Sequence, residues 1–68
     1  METFKIKGEY IQLNQLLKVI GWCDSGGNAN ALIDEGQVKV NGVVELRRRN
    51  KIFPAFKVEF GSKVVTVE

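Results

Sequence analysis

The densest chemistry in this sequence is cationic. Arg47, Arg48, Arg49 and Lys51 stand almost shoulder to shoulder, Lys39 and Lys57 flank them, and Glu45 is the one acid between residues 37 and 57. That third of the chain sets six cations against one acid, a net +5, whereas the remainder sets four lysines against seven acids, a net −3. A guanidinium donates two parallel hydrogen bonds to one phosphate, so a row of such groups is suited to binding a polyanion. Cations also guard strand edges against aggregation. Their concentration in one segment, with acids elsewhere, favours binding over a solvated edge. The overall charge of +2 is too small to argue this by itself.

Catalysis finds no comparable set of groups. Cys23 is the sole cysteine and there is no histidine, so the thiol has no imidazole base and the usual zinc-ligand sets cannot be assembled. An inert, at least half-buried thiol is expected. Asp34 and Glu35 are adjacent, but neighbouring helix positions point about 100° apart and make no acid–base pair. They are expected to face solvent at the end of a helix. Ser25 is better placed as a helix cap than as a nucleophile. No phosphate loop, metal set or catalytic triad can be drawn, so no enzyme, cofactor or metal is expected.

The elements that position the cations follow from hydrophobic period. Residues 3–7 alternate as a half-buried strand around Phe4 and Ile6, and Gly8 breaks it. From Ile11 to Ile20 the period becomes helical, with Leu13, Leu16, Leu17 and Ile20 on one stripe and Gly21 as a stop. After a corner at residues 22–24, Ser25 caps a second helix carrying Ala29, Leu32 and Ile33 and closed by Gly36. Val38 and Val40 then alternate with Gln37 and Lys39. Asn41-Gly42 is the strongest short hairpin signal, with residues 43–46 as the returning strand. Residues 47–52 read as extended, Pro54 punctuates, and Val58 with Phe60, then Val65 with Val67, form two more strands around a Gly61-Ser62 turn. The expected fold is α+β, two helices packed on a small, mostly antiparallel sheet, as a single domain over residues 1–68.

Strand parity refines the cationic patch. With Val44 and Leu46 pointing into the core, Glu45, Arg47, Arg49 and Lys51 would emerge together, and Arg48 and Asn50 the other way. Gln37 and Lys39 have solvent parity on the neighbouring strand and would extend the patch. Trp22 either stacks on an unpaired base or closes the core, and the core is the simpler reading. Phe4, Phe53, Phe56 and Phe60 are expected in the core, Phe56 with the weakest claim, and Tyr10 as a packing residue.

Leu13, Leu16-Leu17-Lys18, Gly21, Ser25, Ala29, Leu32-Ile33 and Gly36-x-Val38-x-Val40-Asn41-Gly42 together resemble the αL RNA-binding motif of S4-type domains. The resemblance spans residues 13–58. Gly36-Gln37-Val38-Lys39-Val40, followed by Glu45-x-Arg47-x-Arg49-x-Lys51-Ile52, is similar to the small stand-alone YbcJ-like bacterial branch. In such domains the helix pair and the hairpin form the RNA-reading surface. The resemblance therefore implies RNA contact by Gln37, Lys39, Arg47, Arg49 and Lys51; Gln37 and Asn41 are expected to add hydrogen bonds to sugars or backbone. Lys18 and Ser25 complete the candidate set. The chain departs from the wider family at Gly26 and Asn30, where arginines are usual, and at Ala55-Phe56, where Gly-Asp is usual. That shifts weight from helix two to the strand cluster. Ser25-Gly26-Gly27 could still offer bare backbone N–H groups to a phosphate, with Asp24 opposing.

The expectation is a monomeric RNA-binding module for structured RNA, ribosomal RNA or a ribosomal subunit among the targets, read through shape and backbone. The alternative is a protein-interaction module of the same fold that binds an acidic protein partner. Double-stranded DNA is disfavoured, since no helix is rich enough in cations for a major groove. Apolar runs are far shorter than the roughly 20 residues a membrane span needs, and residues 1–8 lack the layout of a secretory signal. With no disulfide available to a domain this small, a reducing cytoplasm is the expected setting.

Overall fold

The computed structural model describes residues 2–68. In chain order the elements are β1 (Glu2–Phe4), β2 (Ile11–Gln12), α1 (Leu13–Val19), α2 (Gly26–Asp34), β3 (Val38–Val40), β4 (Val43–Val44), β5 (Lys51–Ile52), β6 (Lys57–Phe60) and β7 (Lys63–Val67). Five strands form one sheet in the order β1-β7-β6-β3-β4, and β2 pairs with β5 in a separate two-stranded ribbon. Every pairing is antiparallel except β1 with β7. This is the expected α+β arrangement.

Burial explains why the helices lie where they do. Leu13, Leu16 and Leu17 of α1 and Ala29 and Ile33 of α2 are buried against Val38, Val40, Val58, Val65 and Val67 from one face of the sheet. Each large aliphatic side chain so buried contributes about 1.5–3 kcal/mol, the favourable term that orders two short helices. Gly21 (φ 82°) and Gly36 (φ 74°) stop the helices in the left-handed region, as their positions suggest. Ser25 caps α2, its hydroxyl accepting from the Asn28 N–H at 3.2 Å. Trp22 is half-buried against Phe60, ring centroids 6.4 Å apart, and its indole N–H donates to Glu2. Cys23 is buried, and desolvation pushes its thiol pKa up, helped by Asp24 and opposed by Lys63. Among the described residues, no helix is long and apolar enough to cross a membrane.

Four sequence expectations are corrected. The first strand ends at Phe4 rather than running to Lys7. Ile11 and Gln12 are not helical, because they pair with Ile52 and Lys51 from the far end of the chain. Val44 and Leu46 do not enter the core. The strand after the hairpin is only Val43–Val44, at the sheet's edge, and Val43, Val44 and Leu46 are all exposed, Val43 at 69% and Leu46 at 59%. The register pairs Val44 with Lys39 on the face opposite Val40, the reverse of the expected parity, and among the described residues no strand lies beyond β4 to cover Val43 on the Val40 face. Finally, Phe53 is 40% exposed rather than a core residue.

Candidate nucleic-acid interface

The segment that carries the arginines is a loop, not a strand. After the Glu45 N–H donates to the Val38 carbonyl (3.0 Å), the chain leaves the sheet and turns at residues 47–50, closed by Asn50 N–H to the Arg47 carbonyl at 3.2 Å. Two bonds then pin the turn to α1: the Leu13 N–H donates to the Asn50 carbonyl (2.9 Å) and the Asn14 N–H to the Arg48 carbonyl (3.0 Å). Gln12, the residue before α1, makes no side-chain cap. The loop carbonyls therefore take the place of a cap for the otherwise unpaired first N–H groups of the helix.

This anchoring sorts the cations. Arg47 folds back onto Glu45, its backbone N–H and Nε both donating to Oε2 at 3.0 Å and its Nη2 to Oε1 at 3.2 Å. That pairing holds the Glu45 carboxyl below the usual carboxylate range and raises the Arg47 guanidinium. Arg48 reaches the other way, to Asp34 in the last turn of α2, and there lowers the pKa of that carboxyl. Among the described residues, Arg49 and Lys51 have no acidic partner. Lys51 instead places its Nζ 5.0 Å from the centroid of the Tyr10 ring.

Arg47, Arg49 and Lys51 come together along one open groove of about 660 Å³, which Glu45 and Asn50 also line. Its apolar wall is Val40 and Val43 from the hairpin with Phe53 and Phe56 from the turn after β5. That turn, Phe53-Pro54-Ala55-Phe56, is closed by the Phe56 N–H to the Phe53 carbonyl at 3.2 Å. Proline second and a positive φ third (Ala55, 77°) are the pattern of a type II turn. A groove lined by both cations and apolar or aromatic side chains suits a ligand that carries phosphates and flat bases.

The other sequence candidates are dispersed. Lys39 and Gln37 line a separate depression with Glu59 and Phe60, and Lys39 lies opposite Glu59 and Val44 in the sheet register. Strand alternation causes this: Val40 and Lys39 point to opposite faces, and the groove is on the Val40 side. Gln37 also donates to Glu35. Asn41 is committed to the hairpin, its Oδ1 accepting from the Lys57 N–H at 2.9 Å. Lys18 is exposed in the last turn of α1, and Ser25 caps α2; neither lines the groove. Asn30, where the wider family usually has an arginine, accepts from Asn14 at 3.2 Å and links the two helices.

Sequence reasoning missed the aromatic partners of the groove. Tyr10 and Phe53 approach with centroids 5.7 Å apart, and Phe53 and Phe56 at 5.8 Å. One signal was available. Ile52 and Phe53 are consecutive on an extended segment, so burying Ile52 turns Phe53 outward.

Residues 4–68 match the S4 domain family, and this chain belongs to it. It is 46% identical over 68 residues to the putative RNA-binding protein YbcJ of Escherichia coli K12, covering 98% of this chain and 97% of that protein. The uncharacterized protein YbcJ of Shigella flexneri matches to the same extent. The solution structure of YbcJ from E. coli, reported to reveal an αL motif involved in RNA-binding, superposes with a TM-score of 0.75 at 46% identity. That match covers 98% of this chain and 86% of the YbcJ chain.

Proposed function

We propose that this protein is a cytoplasmic RNA-binding module rather than an enzyme, and that it docks structured RNA with Arg47, Arg49 and Lys51. The observation that carries the reading is their convergence on one groove with apolar and aromatic walls, in a chain of the S4 domain family. Arg49 and Lys51 are the principal phosphate contacts, since neither is held by an acid. Arg47 is a weaker one, because Glu45 already occupies its fork. Gln37 and Lys39 belong to a second, peripheral contact on the far face of the hairpin. Such contacts fix register on the RNA backbone, which favours recognition by shape, with ribosomal RNA among the targets.

The test is titration of structured ribosomal RNA fragments at two salt concentrations. Wild type is compared with an Arg47→Glu/Arg49→Glu/Lys51→Glu variant that circular dichroism shows to be folded. With about three phosphates neutralised, log K falls against log salt with a slope of roughly −2 to −3, and the variant loses binding. Equal behaviour of wild type and variant would remove the groove as the RNA site.

A second reading has its own observation. The edge strand β4 leaves Val43 and Val44 exposed, with Leu46 beyond it, and an apolar sheet edge beside cations fits an acidic protein segment that adds a strand. Failure of the wild-type protein to bind any RNA, or capture of an acidic protein that RNA does not displace, would favour it.

A further inference from the structure

Phe53 is the one exposed phenylalanine among the described residues, the other three being half-buried. It is a large apolar ring, 40% exposed, on the wall of a cationic groove. Its two ring neighbours hold it without covering it: Tyr10 meets it tilted at 48° and Phe56 edge-on at 63°, so neither stacks flat against its face. The type II turn fixes its backbone on one side, and the buried Ile52 on the other. A ring held in place with a bare face already bears the ordering cost that a flexible aromatic would incur on binding.

Tyr10 extends the pattern. It is 38% exposed, carries Lys51 over its ring, and borders a second groove of about 630 Å³ that also contains Phe4, Ile6, Lys5 and Lys7. The Tyr10–Phe53 pair is thus the divide between two depressions, each with apolar walls and cations. Alternating aromatic faces and cations are the chemistry of a single-stranded nucleic-acid track, where bases stack on rings and phosphates meet lysine and arginine. Inside a paired duplex each base face is already covered by its stacked neighbours.

We infer that Phe53 is a stacking platform for an unpaired base, and that the RNA this protein prefers has a single-stranded segment beside its structured part. On this reading the strand enters past Arg49, stacks on Phe53, and crosses Tyr10 and Lys51 toward Lys5 and Lys7. The inference rests on the RNA-binding reading above, and the test separates the two.

The probe is an RNA hairpin whose loop is a base-free polyether linker, with and without an unpaired tail of about four nucleotides, one tail base replaced by fluorescent 2-aminopurine. Wild-type protein should bind the tailed hairpin roughly five- to a hundredfold more tightly than the blunt one and quench the 2-aminopurine. Phe53→Leu, checked for folding by circular dichroism, should lose the quenching and bind the tailed and the blunt hairpin with about equal affinity. Lys5→Gln/Lys7→Gln should weaken binding of the tailed hairpin only. Equal wild-type affinity for both hairpins overturns the inference and leaves the groove as a backbone-reading site. Retention of preference and quenching by Phe53→Leu also overturns it. Binding of neither hairpin by wild type overturns both readings.

Discussion

Arg48 and Asp34 are joined across fourteen residues of chain, with Nε of the guanidinium 2.9 Å from Oδ1 of the carboxylate and Nη2 donating to Oδ2. The pair ties the basic loop to the last turn of α2, while the Arg48 carbonyl accepts from the first turn of α1. One residue therefore fixes the loop to both helices. A carboxylate at a helix C-terminus is normally disfavoured by the macrodipole, and the guanidinium offsets that.

The pH dependence follows from the sign of the shift. The folded Asp34 carboxyl titrates below its unfolded value because Arg48 hydrogen-bonds the charged form. Its contribution to stability is complete above the unfolded value of about 3.9 and is lost as pH falls through the folded value. Glu45 behaves alike through Arg47. Urea midpoints should drop in that acid range for wild type, and the drop should be shallower in Asp34→Asn. Parallel acid limbs for the two proteins would contradict this.

Glu45 is expected to restrain binding. Glu45→Gln removes the one acid lining the groove and releases the Arg47 fork, at a small cost because Arg47 is largely exposed. Affinity for structured RNA should rise severalfold and the salt slope should steepen by up to about one. Arg49→Ala should do the reverse, weakening binding and reducing the slope by about one. Filter binding over a salt series measures both.

Ala55 occupies a left-handed conformation that favours glycine. Ala55→Gly should relieve strain on the order of 1 kcal/mol and raise the urea midpoint, despite the greater freedom glycine gives the unfolded chain. A lower midpoint would show that the turn is unstrained.

Ser25 and Asn41 are expected to affect stability first. Ser25→Ala removes the α2 cap and should cost about 1 kcal/mol, which Ser25→Asn should largely restore. Asn41→Ala removes the acceptor for the Lys57 N–H at a residue with φ 52°, and should cost about 1–2 kcal/mol. Chemical denaturation checks these, and a change in RNA affinity at unchanged stability would show a direct contact.

By itself the sequence determined whatever depends on neighbours along the chain. The 13, 16, 17, 20 spacing makes α1, Ser25 begins α2, and Asn41-Gly42 closes a two-residue hairpin with both φ angles positive. Helical period, capping and turn chemistry are local, so they can be read locally. The family motif was legible for the same reason. Tertiary structure alone decided the path of residues 45–50 and the surface they make. Alternation around Val44 and Leu46 predicts a core-facing strand, but the register puts Val44 beside Lys39 on the solvent face, and Val43, which shares the face of Val40, lies exposed at the sheet edge. The start of α1 needed two donors satisfied with no capping side chain available, and the carbonyls of Asn50 and Arg48, more than thirty residues along the chain, supplied that. That long-range requirement bent the basic segment into a loop and set Arg47, Arg49 and Lys51 along one groove.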